Sequence, residues 1–256
     1  MIAIFRHFGA PGKYRNLVAW SRSLRFLQLT ISILLFLLIL PFISGHPYIS
    51  LTFQFILLNA LLVSLSASER LPRLRWVLVA LWTAGMILFS KHNLFPGPGP
   101  HRLELVLAAS FYLLFLVGCI AAILTYVFKS PRVTLDTIFA AVVAYFFISI
   151  IFSTCYSILY SFNPGSFNLT LTNTPNEIHL LMTEMVYFSL STIVGVGFGD
   201  ILPLLPFPRM LAVVEAVVGH FYMAVLIGWL VGMFISQALR PGPEPTAPGS
   251  LDPPGD

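Results

Sequence analysis

The chain has 256 residues, of which 57% are hydrophobic and only 9% are charged. A soluble domain carries about 25% charged residues, so this composition excludes an ordinary soluble domain and predicts a protein that crosses a membrane several times. The net charge of +4 does not indicate nucleic-acid binding, because the few lysines and arginines lie between apolar runs, where such residues set membrane orientation.

The first half of the chain is predicted to form a peripheral membrane unit. Residues 1–25 contain basic residues and no acid, which is typical of a cytoplasmic segment facing the membrane. Four membrane-spanning helices are predicted within residues 26–130, at about 26–44, 48–68, 76–90 and 103–128. The first is expected to end at Pro41 and the turn after it. The third is short for a bilayer of roughly 30 Å, so its ends are expected to extend into flanking residues.

The second unit, residues 131–238, contains two long apolar runs with a shorter one between them. We predict a fifth span at about 135–160, an exposed loop at 161–177, a half-length helix at about 178–193 and a last span at about 210–237. Thr174, Pro175 and Glu177 predict the start of the half-length helix. Three prolines, Pro203, Pro206 and Pro208, are expected to break the chain before the last span. Residues 239–256 are rich in proline and glycine, which predicts a disordered cytoplasmic tail.

The distribution of positive charge predicts the orientation of these segments. Eleven of the 14 lysines and arginines fall on one side of the predicted spans. Cytoplasmic loops carry such an excess, so we expect a multi-pass protein of the cell membrane with both termini in the cytoplasm. The predicted fold class is all-α integral membrane, with six transmembrane helices and a re-entrant helix and loop between the fifth and sixth.

The loop after the half-length helix is the most informative stretch of the sequence. Residues 192–200 read T-I-V-G-V-G-F-G-D, in which three glycines alternate with Val196 and Phe198. Glycine takes positive φ without steric cost, so this alternation lets the backbone turn every carbonyl the same way. Irregular backbone at membrane depth is tolerated only where it faces protein or water. A row of carbonyls around an axis can replace the water of a dehydrated cation, which predicts a cation path.

This stretch resembles the selectivity filter of tetrameric potassium channels, whose family form is TVGYG, and the resemblance extends over about residues 135–238. It implies a homotetramer in the bilayer, because four strands are needed around one axis, and it implies passive conduction of potassium. Backbone coordination of potassium falls on Val194, Gly195, Val196, Gly197, Phe198 and Gly199. Support of the filter and its outer mouth falls on Thr192, Asp200, Tyr187 and Phe188.

Two residues of the last span are further candidates. Gly219 lies where the inner helix of the family often carries a hinge glycine, and plain packing against a neighbouring helix is the alternative. Glu215 is an acid inside a predicted span, where acids are costly and often functional. It either bonds to the half-length helix from behind the filter or reaches water as a rim carboxylate.

Two departures from the family pattern bear on ion selectivity. Gly195 replaces the filter threonine, so the innermost ion site lacks hydroxyls, and we expect altered conductance or internal barium block. Phe198 replaces tyrosine and leaves the backbone pattern unchanged. A non-selective monovalent cation channel is therefore the alternative function. A transporter with four pore repeats is disfavoured because one filter-like stretch is present, and a membrane scaffold with a degenerate pore stays open.

The remaining observations limit regulation and chemistry. The fourth span has no arginine or lysine from Leu103 to Phe128, so no voltage-sensing helix is expected. The opening stimulus is not visible in the sequence, and an unidentified regulatory partner stays open. No catalytic set, phosphate loop or metal-ligand cluster is evident, so we expect no enzyme activity and no cofactor besides permeant potassium in the filter. His220 is expected to be a packing or interfacial histidine, with proton sensing as the alternative.

Overall fold

The computed structural model of the protein describes residues 25–43, 48–67, 72–94, 102–130, 133–169 and 178–239. Within these residues the chain forms seven α-helices. They are α1 (Arg25–Ile43), α2 (Tyr48–Ala67), α3 (Pro72–Leu94), α4 (Arg102–Lys129), α5 (Leu135–Phe162), α6 (Ile178–Val194) and α7 (Pro206–Ala238). The predicted basic segment and tail lie, apart from Arg25 and Leu239, outside the described residues, as does the predicted helix start at 174–177.

Three of the described helices are long and apolar enough to cross a membrane. The qualifying segments are Val106–Lys129 of α4, Leu135–Phe162 and Pro206–Gln237 of α7. Shorter apolar helical segments occur at Arg25–Leu40, Gln54–Val63 and Leu181–Val194. An α-helix satisfies its own backbone hydrogen bonds, which is what a segment in lipid requires. These helices support a membrane protein, and the number of six spans stays a prediction.

Prolines lie near two of the predicted helix boundaries. Helix α1 includes Pro41 and ends at Ile43, within one residue of the predicted end of the first span. A proline removes one backbone bond, but in apolar surroundings the residues after it are still best satisfied as helix. Helix α7 begins at Pro206 and includes Pro208, so the predicted break over both residues is wrong. Proline suits the first helical turn, because its missing N–H would have no partner there.

Helix α5 lies at the centre of the fold and packs against α1, α4, α6 and α7. Helix α3 packs mainly on α4, and α2 packs on α1, α3 and α4. The main buried cluster runs through α1 to α5 and reaches α6 at Val186 and α7 at Leu226. Helix α7 lies at the edge of the bundle and leaves many large apolar side chains exposed.

A short two-stranded sheet joins the segment that follows α5 to the segment that follows the glycine-rich stretch. Strand β1 (Phe167–Asn168) pairs antiparallel with β2 (Leu202–Pro203), and Phe167 lies opposite Pro203. The N–H of Leu204 adds a bond of 2.8 Å to the carbonyl of Ser166. The chain that follows the glycine-rich stretch is thereby fixed to the chain that follows α5.

Asp136 is a buried carboxylate that joins three helices. One oxygen, Oδ1, accepts the backbone N–H of Phe26 at 3.1 Å, and Oδ2 accepts the hydroxyl of Tyr126 at 3.0 Å. The Nε atom of Arg25 lies 3.6 Å from Oδ2, and its guanidinium lies over the Tyr126 ring. Asp136 therefore ties the starts of α1 and α5 to the end of α4, a role that the sequence did not predict.

We expect the substitution Asp136→Ala to destabilise the protein by about 3 kcal/mol, because it leaves a buried amide and a hydroxyl unsatisfied and removes the partner of a cation. Asp136→Asn should cost less, since the amide oxygen still accepts one hydrogen bond. Chemical unfolding of the detergent-solubilised protein measures both, with Asp252→Ala in the predicted tail as the control. Equal stability of Asp136→Ala and the control would contradict this account.

Candidate functional site

The site begins where α6 ends, at the entry to the glycine-rich loop (residues 195–200). Gly195 follows Val194 with a φ of +82°. Its N–H donates to the carbonyl of Thr192 at 3.0 Å, and the N–H of Val196 donates to the carbonyl of Ser191 at 2.9 Å. This pair of bonds is the Schellman motif, which closes a helix by placing one residue in the left-handed region. Glycine fits there because it has no β-carbon.

The loop continues the same alternation of backbone conformation. Gly197 and Gly199 have φ values of +57° and +78°, and among the described residues positive φ occurs only at glycine. The N–H of Gly197 donates to the carbonyl of Ser191 at 3.1 Å. In a trans peptide the carbonyl of one residue points opposite to the N–H of the next. The carbonyls of Val194, Gly195 and Val196 therefore point away from the end of α6.

One side chain of α6 holds the far end of the loop. The hydroxyl of Tyr187 donates to Oδ2 of Asp200 at 2.8 Å. The Tyr187 ring stacks on that of Phe198, with 6.1 Å between centroids and 9° between planes. The Oδ1 atom of Asp200 accepts the N–H of Ile201 at 3.0 Å. Two loop residues are thus held by one tyrosine, and the Asp200 carboxylate is fixed on both sides.

Phe188 points to a different neighbourhood from Tyr187. Its ring lies edge-on to Tyr156 at 5.1 Å and to Phe167 at 5.5 Å. These rings form a small buried cluster that also contains Ile201. The resemblance implied that Phe188 supports the loop. The structure packs its ring between α5, β1 and Ile201, the residue that follows the loop.

Glu215 lies behind the loop, on α7, with no exposed surface. Its Oε2 accepts the hydroxyl of Tyr156 on α5 at 2.7 Å, and its Oε1 is hydrogen-bonded to Oγ of Ser189 on α6. Ser189 Oγ also lies 2.7 Å from the carbonyl of Ser149. These contacts match the alternative in which Glu215 bonds to α6, and complete burial excludes a rim carboxylate in this chain. One carboxylate therefore links α5, α6 and α7.

Helix α7 crosses the end of α6 at close range. A β-carbon at Gly219 would lie 2.5 Å from Cγ1 of Ile193 and 2.7 Å from its carbonyl oxygen. The same carbonyl accepts the hydroxyl of Tyr145 at 2.9 Å. This close approach explains the glycine as a packing residue. Helix α7 is continuous through Gly219, and a hinge there stays a prediction.

The sequence did not identify several residues of this arrangement. Tyr145, Tyr156, Ser149 and Ser189 all supply hydroxyl groups around the end of α6. Tyrosine hydroxyls inside an apolar helix are a signal, since they usually need a partner when buried. The partners lie on other helices, so a single sequence does not reveal the pairing.

Residues 133–236 match a family model whose description is Ion channel. The match indicates an ion channel. It covers less than half of the chain, and it includes α5, the glycine-rich loop and nearly all of α7. No curated protein and no solved structure shows significant similarity to the chain. The channel-like part is therefore the part in which Glu215, Gly219 and the loop lie.

We expect Glu215→Leu to destabilise the protein by about 3 kcal/mol, because it leaves the hydroxyls of Tyr156 and Ser189 buried without this partner. Glu215→Gln should cost less than about 1 kcal/mol, since the amide can accept from Tyr156 and donate to Ser189. Thermal denaturation of the purified protein compares the two variants. A loss for Glu215→Gln as large as that for Glu215→Leu would show that the charge, rather than the hydrogen bonds, is what matters.

Gly195→Thr, which introduces the threonine found in the TVGYG pattern, is expected to destabilise the protein by about 1–2 kcal/mol per chain. The left-handed conformation costs about that much for a residue with a β-carbon, and the added carbon would also lie 3.3 Å from Cε1 of His220. Val196→Ala is the matched control, because its φ is not positive. Thermal denaturation provides the comparison, and a fully stable Gly195→Thr protein would contradict the loop conformation.

Proposed function

We propose that four copies of the chain assemble around an axis and conduct dehydrated potassium ions along the carbonyls of residues 194–199. The observation that carries this proposal is the pinning of three successive N–H groups, from Gly195 to Gly197, to the last turn of α6. Because each of these N–H groups points opposite to the carbonyl of the preceding residue, the carbonyls of residues 194–196 point away from α6. In that position they can act as ligands for a cation. Asp200, held by Tyr187, adds negative potential at the outer mouth.

The exposure of the loop supports assembly. In one chain Val196 is 53% exposed and Phe198 is 68% exposed. Irregular backbone of this kind is not stable against lipid, where its polar groups find no partner. Other copies of the chain and the hydrated ion path provide the surroundings that the loop needs. Helix α7 has a long apolar face on which Val217, Phe221 and Ile227 are exposed. In the same assembly this face can pack against other copies of the chain.

One observation favours the alternative of a less selective cation channel. Gly195 supplies no side-chain oxygen, so the innermost ion site has backbone carbonyls alone. A site with fewer fixed ligands discriminates less between ions of similar size. Potassium selectivity remains the first proposal, because the backbone pattern of Gly197, Phe198 and Gly199 is that of the family filter.

The proposed gating is not driven by a charged helix. Between Leu103 and Phe128 the fourth span has no arginine or lysine, whereas a voltage sensor moves several charges across the field. Both termini are proposed to be cytoplasmic, and the opening stimulus is proposed to act through the membrane, the filter, the short basic segments or a partner.

Planar-bilayer recording of the purified full-length protein tests these proposals together. We expect a reversal potential that follows the potassium gradient in mixed potassium and sodium, a steepness that reports little gating charge, and a tetramer by native mass measurement. A reversal potential near zero would support the non-selective alternative. No potassium flux would favour a membrane scaffold, and a gating charge of several elementary units would contradict the absence of a sensor.

A further inference from the structure

His220 lies at the start of the carbonyl row. It follows Gly219 on α7, and its ring faces Gly195: a β-carbon at Gly195 would lie 3.3 Å from Cε1 and 3.7 Å from Nε2 of the ring. Gly195 is the first residue after α6, and the carbonyls that point away from α6 begin beside it. The His220 side chain is exposed in the single chain. It therefore stands at one end of the proposed ion path.

The hydrogen bond that His220 makes fixes which ring nitrogen carries a proton. Its Nδ1 atom lies 2.8 Å from the carbonyl oxygen of Ala216. A carbonyl only accepts hydrogen bonds, so Nδ1 is the donor, and Nε2 of the neutral ring keeps its lone pair. Histidines that ligate metals usually hold their other nitrogen in this way, against a backbone carbonyl or a carboxylate. The ring is thus both oriented and able to act as a ligand through Nε2.

Gly195 provides the space beside this ring. Because a β-carbon at residue 195 would already contact Cε1, a larger side chain there would crowd the imidazole. Glu215, five residues earlier on α7, is bonded to Tyr156 and Ser189 and is not aimed at the same space. Within one chain, the described residues contain no group of three or more potential metal ligands. A metal site at His220 must therefore be built from several copies.

We propose that the Nε2 atoms of His220 from four chains form a binding site for one divalent transition cation, such as Ni²⁺, at the inner end of the ion path. Imidazole is a preferred ligand of Ni²⁺, Cu²⁺ and Zn²⁺. An ion held there lies in the route of potassium and blocks it from the inner side. This site rests on the proposed tetrameric channel, and it assigns to α7 the side-chain ligand that Gly195 does not supply.

The test measures potassium current through the full-length channel in planar bilayers while NiCl₂ is added to the inner side. We expect Ni²⁺ to block the wild-type channel, and His220→Gln to raise the half-blocking concentration by more than about tenfold, since glutamine keeps the size but not the affinity of imidazole. His7→Gln is the matched control, because residue 7 lies in the predicted cytoplasmic segment. Ni²⁺ should block the His7→Gln channel at the same concentration as it blocks the wild type.

A second measurement is independent of current. Calorimetric titration of the purified full-length protein with NiCl₂ should show one high-affinity ion per four chains. This binding should be lost in His220→Gln. If His220→Gln does not assemble, His220→Asn takes its place and should lose the binding as well. Potassium current without Ni²⁺ block, or equal block in wild type and His220→Gln, overturns the metal site and leaves the channel intact. If the wild-type protein carries no current but still binds one Ni²⁺ per four chains, the conduction proposal is overturned and the metal site is retained. If it shows neither current nor this binding, both proposals are overturned.

Discussion

The structure depends on how the backbone leaves α6. Three consecutive N–H groups turn back onto the carbonyls of Ser191 and Thr192, so the end of the helix and the start of the loop satisfy each other. An unsatisfied buried peptide group costs about 1–3 kcal/mol, and more in lipid than in a protein interior. The same bonds leave the carbonyls of residues 194–196 facing outward from the chain. These carbonyl oxygens therefore need a partner, which can be water, a cation or a donor group on another protein surface.

Two buried carboxylates fix the helices that surround this loop. Asp136 joins α1 and α4 to the first turn of α5, and Glu215 joins α6 and α7 to the other half of α5. Apolar contacts between helices have little directional preference in a membrane, whereas hydrogen bonds specify one register. Helix α5 is therefore held at both ends. It positions the peripheral helices α1 and α4 at one end and the helices next to the loop, α6 and α7, at the other.

The sequence predicted the parts of the fold that depend on local chemistry. Alternating glycines at 195, 197 and 199 predicted positive φ, and the apolar run at 178–193 is close to the observed α6. Pro206 and Pro208 were misread at α7, since proline interrupts a helix in its interior and suits its first turn. Asp136 escaped prediction because it sits at a helix start, where an acid needs no explanation, while its partner Phe26 is 110 residues away. His220 was predicted as a packing or interfacial residue, because nothing in the sequence brings it next to Gly195.

The departure from the family form at Gly195 is more than the loss of one side chain. Gly195 terminates α6 and contributes the second carbonyl of the row, after Val194, and its φ of +82° suits a glycine and strains a threonine. The threonine of the family form would require a different end to the helix. In this chain the helix is closed by the Schellman bonds, and the space next to the loop is taken by the ring of His220. At this end of the proposed ion path, the polar side chain next to the loop is therefore the imidazole of His220 on the neighbouring helix α7.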